Sequence, residues 1–443
     1  MDRRRFLALA VGVSGSAAAT PLFRLTAAAA EPNGGVAGAP ATVATRWFGT
    51  ALDAIKATPG YTPPVASRAL GYAGITLYEA VVPGMPGYRS LAGQLHGLDA
   101  TPAIGHRVAY DWDAVANAAL ARILRLLFPT APAAQQSAFD WLESALTPDG
   151  DPGLVRHSVE RGRAVADAVF EWSRTDGGHE AYLHNFPTDY SPPAGPGLWV
   201  PTPPGFQRAL QPRWGDNRTF VVDVEEGGIE PPLPFSTDVG SPFYEQAHEV
   251  YSTVNGLTDE QRTIARFWSD DPGATATPPG HSVSILTQVL TARAATLAEA
   301  AEAYARVSIA VADAFVCCWK AKYTYNLIRP ITYIQQVIDP SFGPAMPLVT
   351  PPFPEYTSGH SVQSGAAAAV LTSLYGSVAF TDHSGDSRGF APRSFASFDA
   401  AAAEAAISRL YGGIHYRAAI ERGLAQGHRI GTIVAALPLF SRQ

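Results

Sequence analysis

Residues 298–328 read AEAAEAYARVSIAVADAFVCCWKAKYTYNLI, the longest helical pattern in the chain. Apolar residues recur there with the period of an α-helix, and alanine, a strong helix former, is abundant. Shorter segments of the same kind predict eleven further helices, at residues 41–57, 66–81, 108–127, 133–147, 154–174, 241–255, 258–270, 282–297, 359–375, 397–411 and 416–436. Alternating β-branched residues are scarce, and Thr219–Val224 is the best candidate for a strand. The pattern predicts an all-α fold, built as a helical bundle.

A long loop region rich in proline and glycine separates two groups of predicted helices. It spans residues 177–240 and contains PPAGPGLWVPTPP at 192–204. We interpret it as a rigid strap packed across the bundle, with some residues at the rim of a pocket, because loops of this length are seldom idle in a compact domain. Its aromatic residues are the candidates for such a rim: Tyr182, Phe186, Tyr190, Trp199, Phe206 and Trp214. We predict an N-terminal helical region with this strap (31–240) and a C-terminal helical bundle that carries the site (241–443).

The first thirty residues have the pattern of an export signal. The chain opens MDRRRFLALA, continues through an apolar stretch and reaches AAAAE at 27–31. An arginine pair followed by Phe-Leu is typical of the twin-arginine route. We therefore predict that residues 1–30 are cleaved, that the protein is periplasmic or secreted, and that no membrane anchor remains after cleavage.

The composition excludes some classes of function. The formal charge is −7, and without residues 1–30 the chain has 28 basic and 38 acidic residues, a charge of −10. An acidic protein is a poor partner for nucleic acid, whose binding proteins carry basic surfaces. The two cysteines, neighbours at 317 and 318, exclude a disulfide-stapled scaffold. A local cluster of cations on such a protein indicates a binding site.

One such cluster begins at the end of the longest predicted helix. Lys322 and Arg329 are seven residues apart, which places both on one face of a helix that Pro330 would end. Bulky apolar residues surround them in the sequence, so a solvated basic stripe is the weaker interpretation. The spacing predicts two cations directed at one buried anion.

Two further segments carry residues of the same chemistry. Ser358-Gly359-His360 follows a proline-rich approach and precedes a predicted helix, and the amides at a helix N-terminus bind anions. The segment Ser408-Arg409-x3-Gly413-x-His415 places Arg409 and His415 on either side of a glycine turn. Together the three segments predict a cage for a tetrahedral oxyanion such as phosphate or vanadate, with two histidines as ligand or nucleophile and as acid/base.

The three segments, in this order, resemble the signature shared by the vanadium-dependent haloperoxidases and the acid phosphatases of the phosphatidic-acid-phosphatase type. The resemblance covers about residues 267–427, and the first half of the chain matches only in being helical. It implies helical bundles of that type. Their cage holds vanadate as a prosthetic group in the peroxidases and a transient phosphoryl group in the phosphatases.

The resemblance also implies individual roles. His415 resembles the axial ligand of the metal, or the phosphorus nucleophile, and His360 resembles the acid/base. Asp271, which ends the segment FWSDD at 267–271, resembles an aspartate that pairs with Arg409, and a solvated carboxylate in a loop rich in proline and glycine is an equally good interpretation. The other residues implied in catalysis and in holding the cofactor are Lys322, Arg329, Ser358, Gly359 and Arg409.

Two aromatic residues favour the chloroperoxidase-like branch within this superfamily. Trp319 and Phe353 occupy positions that look like those bordering the halide pocket there. An apolar wall suits a weakly hydrated halide better than a bulky phosphomonoester. Either residue is equally consistent with a place in the core.

The sequence departs from the family pattern at two positions. Thr357 stands where proline usually precedes Ser-Gly-His, and Ala419 stands where aspartate usually follows His415 by four residues. That aspartate is expected to hold the second ring nitrogen of the histidine. The sequence leaves the partner of His415 open, with a backbone carbonyl and Glu421 as the two candidates.

Three functions remain open, and the sequence favours the first. The first is a vanadate-dependent peroxidase that oxidises halide with hydrogen peroxide to hypohalous acid, which halogenates a small organic acceptor, with His360 handling the proton and no redox change at vanadium. The second is a secreted acid phosphatase acting through a phosphohistidine, and the third is a catalytically silent helical oxyanion-binding protein. The sequence makes no prediction of halide preference or oligomeric state.

Overall fold

The computed structural model describes residues 35–104, 108–228 and 230–440, and the predicted signal lies outside them. The fold is all-α, as predicted. Over these residues the chain forms thirteen α-helices and one two-stranded sheet. The helices are α1 (Thr42–Ala57), α2 (Pro63–Val81), α3 (Trp112–Leu127), α4 (Ala133–Ala145), α5 (Pro152–Ser173), α6 (Pro242–Asn255), α7 (Asp259–Phe267), α8 (Thr277–Ala292), α9 (Leu297–Tyr325), α10 (Pro330–Val337), α11 (Gly359–Tyr375), α12 (Phe398–Tyr411) and α13 (Arg417–Ala435). The strands are β1 (Phe380–Asp382) and β2 (Arg393–Phe395). All twelve predicted helices are present, and α10 was not predicted.

Helix α9 is the centre of the molecule and is buried along most of its length. It begins with a capping box, in which Thr296 and Glu299 satisfy each other's backbone amides. Helices α2, α11 and α13 pack against it, and α11 packs chiefly against α13. The main hydrophobic core therefore contains residues from both sides of position 240. None of the helices in the described ranges is long and apolar enough to cross a membrane.

The junction of α9 and α10 corrects one prediction. Helix α9 ends at Tyr325, because Asn326 adopts a left-handed conformation with φ 44° and its amide still bonds the carbonyl of Lys322. Arg329 is extended and Pro330 is the first residue of α10, where its missing N–H costs nothing. The prediction that Lys322 and Arg329 share a helical face is wrong. The two cations lie on separate elements and approach the same region from different directions.

The predicted strand at Thr219–Val224 is also wrong. The amides of Phe220, Val221 and Val222 donate to the buried carboxylate of Asp313 on α9, at 2.6–3.0 Å, instead of to a neighbouring strand. The sheet of the described chain lies elsewhere and pairs Phe380 with Phe395 in antiparallel register. A buried carboxylate needs donors, and this extended segment supplies three.

The proline-rich region crosses the bundle beside the end of α9. Trp199 and Trp214 are buried, and the Trp199 amide donates to the carbonyl of Asn326 at 2.7 Å. Phe186 and Phe206 remain exposed. The strap therefore supports the turn after α9 and leaves part of its aromatic surface near the mouth of a cleft.

Candidate active site

The three predicted segments meet at the bottom of one cleft of about 1250 Å³. Seven of the residues singled out in the sequence line it: Asp271, Trp319, Phe353, Gly359, His360, Arg409 and His415. Strap residues Phe186, Gln207 and Leu210 form part of its wall. The other predicted residues, Lys322, Arg329 and Ser358, are fully buried directly behind this surface.

Lys322 is directed at backbone oxygens. Its Nζ donates to the carbonyls of Pro354 and Glu355, each at 3.0 Å, and to the carbonyl of Thr357. An ammonium has three N–H donors, so all three are used. Burial lowers the pKa of Lys322 to about 7. The side chain fixes the loop before α11, and its positive charge lies buried behind the residues that line the cleft.

Arg329 connects the second and third segments. Its Nε donates to the Phe353 carbonyl and its Nη1 to the Ile414 carbonyl, both at 2.8 Å, while Nη1 lies 3.3 Å from His415 Nε2. Its Nη2 is buried and has no hydrogen-bond partner among the described residues. Leaving a buried charged donor unpaired is costly, so this atom indicates a place for a ligand acceptor.

His415 is held from both sides. Its Nδ1 lies 2.8 Å from Oε1 of Glu355, while Nε2 faces Arg329. Burial, reinforced by Arg329 and Lys322, holds the pKa of His415 well below its usual range, so the ring is neutral. Neither candidate for the place of the missing aspartate is correct. Glu421 lies at the surface beside Arg417. A backbone carbonyl is not the partner either, because Nδ1 faces the side chain of Glu355. Burial raises the pKa of Glu355 to about 7, and the two cations oppose this.

The start of α11 presents the second histidine to the cleft. Ser358 caps the helix through its Oγ, and its own amide donates to the Ala419 carbonyl at 3.2 Å. Gly359 follows, and the amides of a first helical turn have no acceptor within the helix. His360 hydrogen-bonds the Trp268 backbone, and its Nε2 has no partner in the described chain. Burial, with Arg409 next in effect, holds the pKa of His360 well below its usual range, which leaves a neutral ring with a free nitrogen.

Arg409 is oriented by backbone oxygens. Its Nη2 donates to the carbonyls of Trp268 at 2.6 Å and Ala265 at 3.3 Å, and its Nε donates to Ser408 Oγ at 2.9 Å. Asp271 is exposed and forms no ion pair with Arg409 within the described ranges, so the prediction that it orients Arg409 is not supported by the geometry. Burial lowers the pKa of Arg409 to about 10, and the negative charges of Asp270 and Asp271 oppose this effect.

Comparisons with known proteins agree with this geometry. Residues 302–341 and 337–439 match the profile of the VCPO second helical-bundle domain. A solved bacterial vanadium-dependent iodoperoxidase is 37% identical over 93% of this chain and 99% of its own, with a TM-score of 0.83. The chain belongs to the vanadium-dependent haloperoxidase family.

Two more distant structures share the fold. A holo-type bacterial vanadium-dependent chloroperoxidase is 15% identical, with a TM-score of 0.67 over 86% of this chain and 93% of its own. The apo-type structure of a bacterial vanadium-dependent chloroperoxidase is also 15% identical, with a TM-score of 0.64 over 85% of this chain and 94% of its own. No curated protein sequence matches the chain significantly.

The apolar wall of this haloperoxidase-family site is formed by the two predicted aromatic residues. The rings of Trp319 and Phe353 lie 4.9 Å apart, and the Trp319 indole N–H donates to the Leu210 carbonyl of the strap. The charged groups of Lys322 and Arg329 lie 4.9 Å and 4.8 Å from the Phe353 ring. Phe353 thus lines the cleft and contacts both buried cations.

Two features of the site were missed by sequence reasoning. Glu355 carried a usable signal, because it is the only Asp, Glu, Lys or Arg between Asp339 and Asp382. The second feature is a buried triad in which His281 bonds Asp270 at 2.9 Å and Asp382 at 2.8 Å. Asp270 and His281 are eleven residues apart, but Asp382 lies 101 residues beyond the histidine, and the three residues form no recognisable pattern.

Proposed function

We propose that this protein is a vanadate-dependent peroxidase that oxidises halide with hydrogen peroxide to hypohalous acid. The observation that carries the proposal is the pair of buried atoms at the base of the cleft: the unpartnered donor Arg329 Nη2 and, next to this guanidinium, His415 Nε2. Together they offer one cationic donor and one neutral nitrogen to a single oxyanion.

The residues present fit vanadate. His415 would bind the metal through Nε2, and the anion's oxygens would be held by charged and neutral donors from Arg329, Arg409, Ser358 and the Gly359 amide. Lys322 would contribute positive charge from beneath the loop. Bound vanadate supplies a Lewis acid that makes peroxide electrophilic without changing the metal's oxidation state.

The protein's own residues supply the remaining chemistry. His360 Nε2 is an unprotonated, unpartnered nitrogen at the cleft and would accept the proton released from hydrogen peroxide. Preorganised cations are usually the largest catalytic contribution, because they need no reorganisation during reaction. Arg329 and Arg409, both fixed by carbonyls, meet this condition.

Iodide is the halide we propose first. The relative with 37% identity is an iodoperoxidase, and iodide is large and weakly hydrated, which suits the wall of Trp319 and Phe353. The oxidised halogen would then react with a small organic acceptor. We also keep the proposal that residues 1–30 direct export to the periplasm or outside the cell.

One comparison tests the function. Purified protein is assayed with and without added vanadate for peroxide-driven oxidation of iodide and bromide and for hydrolysis of an aromatic phosphate, with His415→Ala plus vanadate as the control for free vanadate chemistry. We expect vanadate-dependent iodide oxidation and weak hydrolysis. Hydrolysis without halide oxidation would instead identify a phosphatase, and neither activity would identify a silent oxyanion-binding protein.

A further inference from the structure

We infer that Glu355 is the positioning residue for His415, and that it replaces, from a different element, the carboxylate absent at position 419. This inference rests on the proposed function for its role in vanadate binding. The contact between Glu355 and His415 does not depend on that function. Glu355 lies in the loop before α11, sixty residues before the histidine that it contacts.

The carboxylate makes two hydrogen bonds to the same segment. Glu355 Oε1 accepts from His415 Nδ1 at 2.8 Å and from the Tyr416 amide at 2.9 Å. The glutamate and the histidine are both buried, so water does not compete for these bonds. A hydrogen bond in surroundings of low dielectric constant is stronger than the same bond in water.

These contacts assign the tautomer of His415. Arg329 always carries its protons and lies 3.3 Å from Nε2, so Nε2 must accept. The proton of the neutral ring is therefore on Nδ1, which donates a hydrogen bond to Glu355. The lone pair of Nε2 is then directed to the cationic side of the site, as a ligand nitrogen requires.

The loop holds Glu355 in this position. Its backbone amide donates to the Leu327 carbonyl at 3.0 Å, and its carbonyl accepts from Lys322 Nζ at the same distance. Lys322 therefore anchors the residue that orients His415. This gives the buried lysine, whose donors are all used by backbone, a defined function in the site.

Position 419 has no side chain able to do this. Ala419 is buried, and its carbonyl already accepts from the Ser358 amide. In this chain the carboxylate that contacts Nδ1 therefore comes from the loop before α11 and not from α13.

The test combines two readouts on full-length protein. The first is the ¹⁵N spectrum of histidine side chains, with the His415 signal assigned by its loss in His415→Gln. The second is the affinity for vanadate alone, measured by calorimetry on wild type, Glu355→Gln, Glu355→Ala and the control Glu79→Gln. Glu79 is an equally buried carboxylate that accepts from Ser90 and Leu91, outside the site.

We expect the wild-type His415 ring to be protonated on Nδ1. Glu355→Ala should weaken vanadate binding about 10–100-fold, the usual effect of removing the partner of a ligand histidine. Glu355→Gln keeps an acceptor oxygen and should lose less, and Glu79→Gln should bind like wild type.

Two results would overturn the inference. One is a wild-type ring protonated on Nε2, which requires no variant to fold. The other is a folded Glu355→Ala protein that binds vanadate as tightly as wild type. Failure of the wild type to bind vanadate would instead refute the proposed function. The ¹⁵N spectrum would still test whether Glu355 holds the proton of His415 on Nδ1.

Discussion

The two histidines of the cleft have different surroundings and therefore different roles. His415 has partners at both ring nitrogens, Glu355 at Nδ1 and Arg329 at Nε2. His360 has one partner, the Trp268 backbone, and its Nε2 is unsatisfied. A histidine whose ring orientation is fixed by neighbouring side chains is suited to holding a ligand. A histidine with an unpartnered ring nitrogen is suited to transferring a proton.

This difference predicts opposite phenotypes for two alanine variants. His360→Ala should retain vanadate, and its turnover rate should fall by about 10²–10⁴-fold if proton transfer is the only role of His360. His415→Ala should lose tight vanadate binding, because the ligand nitrogen is gone. Calorimetric titration and steady-state iodide oxidation measure the two effects, and equal vanadate affinity in both variants would contradict the assignment.

Among the secondary-structure elements, the pair α11 and α13 sets the position of the cleft floor. Ser358 caps α11 and donates its amide to Ala419 on α13, so the helices must approach closely. Gly427 allows this approach, since a Cβ at that position would lie 2.1 Å from the Val362 carbonyl oxygen. The packing of these helices therefore connects directly to the geometry of the site.

We predict that Gly427→Ala destabilises the protein even though alanine favours a helix by about 1 kcal/mol over glycine. The added methyl cannot fit against backbone, so α13 must move away from α11, at a cost of about 1–3 kcal/mol. Chemical denaturation measures the change. Gly49→Ala is the matched control, because Gly49 lies within α1 with nothing within 4 Å of its added Cβ.

That control should raise the free energy of unfolding by up to about 1 kcal/mol through helix propensity alone. A Gly427→Ala protein as stable as the control variant would show that the two helices can separate without cost.

At the scale of the whole molecule, a buried charge cluster joins three parts of the fold. His281 on α8 bonds Asp270, which follows α7, and Asp382 at the end of β1. Burial alone would lower the pKa of His281, but the two carboxylates outweigh it and raise the pKa to about 10. The same ion pairing holds the pKa of Asp382 at about 2 against the effect of its own burial. Trp268 stacks on the imidazole at 4.3 Å, which links the cluster to the carbonyl that orients Arg409.

This cluster predicts a pH dependence of stability. The pKa of His281 rises on folding from its usual 6.5, so its contribution is complete below about pH 6.5 and is lost as the pH rises toward 10. The depressed pKa of Asp382 acts at the other end, and its contribution is lost as the pH falls from about 4 toward 2. The lowered pKa of Lys322 acts on stability with the opposite sign over the same alkaline range. The contribution of His281 is therefore measured as the difference in the free energy of unfolding between the wild type and a variant without the imidazole, and this difference should shrink between pH 7 and 10.

The variant His281→Phe tests this origin. It should lose about 3–5 kcal/mol at pH 7, because two buried carboxylates are left without their partner. The stability difference between the variant and the wild type should then become smaller as the pH rises from 7 to 10. Denaturant titrations at pH 6, 8 and 10 measure the free energy of unfolding of both proteins, and a difference that does not change with pH would show that His281 does not titrate in this range.

The sequence by itself determined the all-α fold, the bounds of most helices and the residue types at the base of the cleft. These properties are local: apolar periodicity defines each helix, and the three motifs place His360, Arg409 and His415 next to turns or helix ends. The resemblance to the haloperoxidases depended on the same short segments. Family membership was therefore predictable from a third of the chain.

Only the tertiary structure decided which groups contact one another. Lys322 and Arg329 are on separate elements because Asn326 ends α9, and Glu355 reaches His415 across sixty residues. The carboxylate in the buried cluster is Asp270, whereas its neighbour Asp271 is exposed. Spacing along a helix fixes direction over a few turns, but the partner of a buried polar group depends on how distant elements pack. Burial then requires that partner to be present, and the packing of the fold selects which residue provides it.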